Sequence, residues 1–211
     1  DFIYNNLKLP ENPHKNTKSV IPNEPAEVKE NFVSCNLDVS KPLFCLGFKQ
    51  SGKTPTTKQI VSMEILLKML AGCASPLYKE LLEEGLINEE FSFEYFNGRG
   101  FALPLFEGES DNPKLVMEKI LNKVSVYKEN GLDEKLFEAV RRDLYGRSIR
   151  RFDASESVCS MLTDATVLGY SLFEYFEILS KITPKDVAES LLVFSKENAV
   201  LSVVNPIQNQ E

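Results

Sequence analysis

Ser75 to Pro113 reads SPLYKELLEEGLINEEFSFEYFNGRGFALPLFEGESDNP, and its hydrophobic period changes partway along. Ser75-Pro76 is a helix start, Tyr78, Leu81 and Leu82 recur at helical spacing, and Gly85 stops the run. From Phe91 the pattern alternates through Phe93 and Tyr95, as a strand with one buried face does. Asn97-Gly98-Arg99-Gly100 follows, with Asn-Gly expected to supply the positive φ angles of a tight hairpin, and Phe101 to Phe106 reads as the returning strand. The stretch predicts a helix feeding an antiparallel hairpin.

Upstream, prolines at 10, 13, 22 and 25 deny residues 1–30 regular structure, so this arm reads as an interdomain linker and 31–211 as one domain. Asn31 to Ser40 alternates and Leu43 to Lys49 is a second strand, and the two are expected to pair with each other. In Lys58 to Ala74, Ile60, Val61, Ile65, Leu66, Met69 and Leu70 recur at helical spacing. Downstream, Pro113 to Asn130, Asp133 to Phe152, Ser155 to Gly169, Ser171 to Lys181 and Pro184 to Ser195 read as helices before a last strand, Ala199 to Val204.

The 211 residues are 43% hydrophobic, enough for a sizeable single core, and the net charge of −7 opposes a nucleic-acid duplex or an anionic membrane surface. Basic partners or neutral peptides suit it better. No run approaches the roughly 20 apolar residues that span a bilayer, and no leader-like segment opens the chain, so a cytoplasmic location is expected. Cys35, Cys45, Cys73 and Cys159 sit in apolar segments without metal-type spacing and read as buried free thiols.

A helix opening S-x-L-Y and closing E-x-G-L-I before an aromatic hairpin resembles the C-terminal, zinc-free half of the insulinase, pitrilysin and processing-peptidase family of zinc metallopeptidases. KPLFCLGFK, Lys41 to Lys49, is similar to the strand that opens that half; TPKDVAESL followed by NAVLSVVNP is similar to its last helix and closing strand. The likeness runs from Pro25 to Pro206, nearest to two-halved bacterial insulinase-like zinc proteases. It implies an α+β, two-layer fold: a mostly antiparallel sheet covered by helices on one face, as in processing peptidases. It also implies a peptide substrate and a zinc-bearing N-terminal half, either fused or a separate subunit in a dimer, with which this chain forms a peptide-binding chamber. A catalytically inactive relative serving as a scaffold is the alternative.

The family's zinc site needs H-x-x-E-H, two histidines and a more distant glutamate holding the metal and the motif's glutamate acting as base. This chain has one histidine, His14, so zinc is expected on the partner half and no metal or catalytic residue here. Glu83, Glu84, Glu89 and Glu90 lack a histidine partner and read as a solvated helix end and strand start. The family's C-terminal half also lends an Arg and a Tyr in a pattern like L-R-x-x-x-G-L-x-Y. Leu81 and Leu82 stand in the Arg region and Leu86, Ile87 and Asn88 in the Tyr region, so neither carries over. What the resemblance leaves as substrate-facing candidates is Tyr78, Leu82, Leu86 and Asn88, with Tyr78 also readable as core.

Two motifs stand outside this scheme. Gly47 to Thr54, GFKQSGKT, matches the phosphate-binding loop G-x-x-x-x-G-K-[ST], in which Lys53 would reach phosphate and Thr54 magnesium; the bland reading is a solvated turn. Arg141, Arg142, Arg147, Arg150 and Arg151 point away from the stripe Leu136, Val140, Leu144, and read as ion-paired surface or as a wall attracting acidic peptide. Phe173, Tyr175 and Phe176 read as core.

Overall fold

The computed structural model describes residues 27–50, 52 and 54–207, together with residues 6, 20 and 25. His14, most of the expected arm, and Ser51 and Lys53 of the GFKQSGKT motif lie outside the described residues. Five strands, β1 (Phe32–Leu37), β2 (Leu43–Phe48), β3 (Ser92–Gly98), β4 (Phe101–Glu109) and β5 (Ala199–Pro206), form one sheet in the order β1-β5-β2-β4-β3. Only β1 and β5 run parallel; every other neighbour is antiparallel. The helices are α1 (Thr57–Ala71), α2 (Pro76–Glu83), α3 (Pro113–Asn130), α4 (Glu134–Arg150), α5 (Ser155–Leu168), α6 (Leu172–Lys181) and the short α7 (Pro184–Ala188). Sheet and helices make the two layers expected of the sequence.

β1 and β2 do not pair with each other: β5 lies between them, and residues 38–42 step over its end. A short connection favours a hairpin on local grounds, but β5 (AVLSVV) has more apolar surface to bury than β1 (FVSCNL), which is exposed along its length. The β3–β4 turn is also displaced. Gly98 pairs with Phe101, and the left-handed residue is Gly100 at φ 87°, not Asn97 or Gly98. A Cβ at Gly98 would lie 2.5 Å from the Phe101 ring, so a larger residue there would push that exposed ring aside.

α1 carries the core. Thr56 caps it in a box with Gln59, and eleven of its fifteen residues are buried, so it is apolar nearly all round and packs among β3, α4, α6 and α7. α1 and α2 together, Thr57–Glu83, have the length and hydropathy of a membrane span, yet 67% of the most apolar window is buried within the fold, as in a core helix. The inner sheet face contributes Phe44, Leu46, Phe48, Phe106, Leu201 and Val203 to the same cluster.

α7 opens with a capping box in which Thr183 N donates to Asp186 Oδ2 at 2.9 Å and Lys58 Nζ lies 2.6 Å from Oδ1. The Lys58 hydrogen bond, and then those from Thr183, hold the Asp186 carboxyl down at about 2. A depressed carboxyl stabilises the fold above its unfolded pKa, near 3.8, and that stability is lost as pH falls through the folded value. Asp186→Asn is therefore expected to lower the urea midpoint at neutral pH, with the difference from wild type closing between about pH 4 and pH 2.

Two further expectations need correction. The thiols are free but not buried: Cys35, Cys73 and Cys159 are exposed, because they sit on a sheet edge, after a helix end and on the outer side of α5, respectively. Cys45 is half-buried on the outer sheet face, and burial, reinforced by Glu107, pushes its thiol up to about 12. Phe173 is 78% exposed, since Leu172, Tyr175 and Leu179 form the buried stripe of α6.

Candidate functional site

The side of the sheet away from the helices is apolar across its three central strands. Leu43, Cys45 and Gly47 of β2, Phe101, Leu103 and Leu105 of β4, and Val200 and Val204 of β5 all alternate with the buried inner residues. An antiparallel sheet with a solvated outer face shows polar residues at such positions. Here Ser202, Glu107 and Glu109 interrupt them on these strands, and Val33, Leu37, Leu43, Phe96 and Phe101 are exposed. At one end of this face Gly47 leaves a dip: a Cβ there would meet Leu105 Cδ2 at 3.0 Å. The dip opens into a cavity of about 420 Å³ lined by Gly47, Phe101, Leu103 and Val200, with Lys49 and Arg99 also on its wall. Continuous apolar runs in LFCLGF, FALPLF and AVLSVV were the sequence signal for this face.

A second hollow, about 490 Å³, lies where β3, the last strand of the sheet, meets α1 and α4. Phe93, Ala139 and Val140 form its apolar part, and Lys68, Asp143 and Arg147 its charged part. Asp143 sits 3.0 Å from Lys68 Nζ and 2.8 Å from Arg147 Nε; the Arg147 hydrogen bond first, then Lys68, holds its carboxyl below the usual range.

The four substrate-facing candidates fall on α2 and the connection to β3. Tyr78 is half-buried against the core with its ring 6.3 Å from Phe91, and Leu86 also packs on the core. Leu82 is exposed, and Asn88 donates to Glu109 Oε2 at 2.8 Å while accepting from Glu90 N at 3.0 Å. None of the four lines either hollow.

The described residues of the phosphate-loop motif form no cradle. Gly47 and Phe48 belong to β2, Thr54 Oγ1 accepts from Gly100 N at 3.0 Å, and the first turn of α1 is already satisfied by Thr56 and Gln59. Nor do the donors suit zinc: among the described residues no three His, Cys, Asp or Glu side chains converge as a metal site requires.

A family model described as "Peptidase M16 inactive domain" matches residues 3–144. The uncharacterized zinc protease YmfH of Bacillus subtilis (strain 168) is 29% identical over 163 residues, which are 75% of this chain and 37% of that protein. Among solved structures, an M16-like peptidase from Alicyclobacillus acidocaldarius superposes with a TM-score of 0.80 at 24% identity, over 92% of this chain and 49% of its own. The peptidase M16 inactive domain from Pseudomonas fluorescens gives 0.74 at 15% identity, over 94% and 48%. The inactive peptidase domain of a zinc protease from Bordetella parapertussis gives 0.69 at 14% identity, over 84% and 97%. The chain thus spans about half of the first two structures and about a third of the curated relative.

Proposed function

Because this chain belongs to the peptidase M16 family, as its inactive domain, we propose that it closes a peptide-binding chamber against a zinc-bearing N-terminal half and docks on that half through the apolar outer face of its sheet. The observation that carries the reading is that face, whose alternate positions on β2, β4 and β5 are apolar although no described element covers them. Burying it on a second domain removes apolar surface from water, and the hollow at Gly47 receives one apolar side chain from the partner. Zinc and the activated water belong to the other half; this chain supplies walls, charge and closure. Residues 1–30 are the tether, and Leu82, the one exposed side chain of the four candidates, faces the chamber with Asn88.

The test is co-expression with the N-terminal half of the parent peptidase. Leu103→Asp places a carboxylate on the outer face, and Gly47→Leu fills the hollow. Each is expected to weaken association and peptide cleavage at least tenfold, the order of loss when a buried apolar anchor meets a charge. Circular dichroism of the isolated variants should show the wild-type fold. Wild-type association and turnover in both variants would overturn the docking face.

A further inference from the structure

We infer that the cavity between α1, α5 and α6 binds a primary alkylammonium group, held by the Glu64 carboxylate and boxed by the rings of Tyr170, Tyr175 and Phe176. The residues come together for local reasons. Glu64 is a carboxyl on the core helix α1, among Val61, Met63, Ile65 and Leu66, all buried. A carboxyl in that setting costs stability and is a candidate for function. Gly169 ends α5 at φ 84°, Tyr170 N then donates to Ala165 O at 3.0 Å, and Ser171 caps α6. That turn sets Tyr170 beside Tyr175, ring centroids 6.3 Å apart, and Phe176 stands edge-on to Tyr175 at 5.8 Å. The space they enclose with Glu64 is about 90 Å³, room for roughly three waters or for a nitrogen with a few carbons. Asp164 and Arg151, both exposed, lie at its rim.

Chemistry selects the occupant. Tyr175 donates to Glu64 Oε2 at 2.5 Å, and among the described residues nothing donates to Oε1, which is left for a ligand. Lys68, one turn further along α1, is already paired with Asp143 at 3.0 Å. Two carboxyls, two phenol oxygens and three aromatic rings against the guanidinium of Arg151 make the lining electron-rich, so it favours a cation over an anion. A metal ion is a poorer fit, because no three His, Cys, Asp or Glu side chains converge among the described residues. An ammonium is satisfied by a few oxygens and a ring face, and its alkyl stem packs on Met161 and Leu172, which are buried in the wall. Burial raises the Glu64 carboxyl above its usual range, so an arriving cation displaces the proton, which leaves to solvent.

The site is independent of the docking face and is tested on the 211-residue chain alone. Titration with n-butylammonium chloride should shift the resonances of Glu64, Tyr170 and Tyr175 saturably, with a Kd in the millimolar range set by so small a ligand. Affinity should rise with pH as Glu64 gives up its proton, and calorimetry in two buffers should record proton release on binding. Glu64→Gln, which keeps an acceptor for Tyr175, should weaken binding about tenfold, and Asp164→Asn severalfold, each with the wild-type amide spectrum elsewhere. A lysine peptide with blocked termini binding more tightly than butylammonium identifies a protein side chain as the natural source; the reverse order identifies a free amine. Equal binding of n-butanol, tighter binding of acetate, unchanged affinity in Glu64→Gln, or the absence of saturation, with water alone filling the cavity, would each overturn the assignment.

Discussion

Phe106→Ala is expected to destabilise the domain by about 3–5 kcal/mol, the range for removing a fully buried phenylalanine where the surroundings cannot collapse. Phe106 is fully buried at the centre of the sheet's inner face, with ring centroids 6.2 Å from Phe48, 6.4 Å from Phe91 and 6.3 Å from Phe194. Those partners come from β2, the approach to β3 and the segment after the last helical turn, so one side chain joins distant parts of the chain. The backbone around it is pinned by strand pairing on both sides, at Leu46 and at Phe93, which prevents the neighbours from filling the void. Urea unfolding of the variant should show a midpoint shift of that size at an unchanged slope. Phe96→Ala, on the exposed outer face of the adjoining strand, should cost a small fraction of it. Equal losses would mean that the outer face is as closely packed as the inner one.

The contrast between those two phenylalanines shows what was legible in the sequence. Periodicity placed the helices within a few residues except α7, which stops at Ala188 and gives way to a 3-10 turn at Glu189–Val193 where the pattern ran on to Ser195; Gly131 and Gly169 end α3 and α5 with positive φ, and Asn112 and Asp133 cap α3 and α4. Family-like segments then gave the layer order. Beyond the β3–β4 hairpin, strand neighbours were not legible: β1 and β5 are separated by the whole domain, and nothing local in FVSCNL says that it pairs parallel with AVLSVV. The apolar outer face was visible as unbroken hydrophobic runs but was absorbed into the reading of core strands. The hollow between β3, α1 and α4 was invisible because Lys68, Phe93 and Arg147 come from three elements, and only the packing of α1 on both β3 and α4 brings them together.

The stability of the domain is expected to fall as pH rises from about 4.5, owing to Glu64. This carboxyl lies on the core helix α1 and accepts a hydrogen bond from the Tyr175 hydroxyl at 2.5 Å, above a small cavity lined by Ser148, Arg151, Asp164 and Tyr170. Burial raises the carboxyl above the usual range; the Tyr175 hydrogen bond and the charge of Lys68 pull it back only in part. Burial, then the Glu64 charge, raises the Tyr175 phenol as well, so the tyrosine stays a donor throughout. A raised folded pKa means that the native state holds the proton more tightly than the unfolded chain. Its stabilisation is complete below the unfolded value and is lost as pH climbs through the folded one. Glu64→Gln keeps an acceptor for Tyr175 without the charge, and should flatten this decline, gaining on wild type as pH rises. Tyr175→Phe strands the carboxylate, and should cost about 1–3 kcal/mol at neutral pH while steepening the decline. Combining the two changes should cost less than the sum of their separate effects, because the glutamine needs its donor less than the anion does. Melting temperatures of the four proteins across pH 4 to 9 decide the matter, and parallel curves for wild type and Glu64→Gln would show that this carboxyl titrates normally in solution.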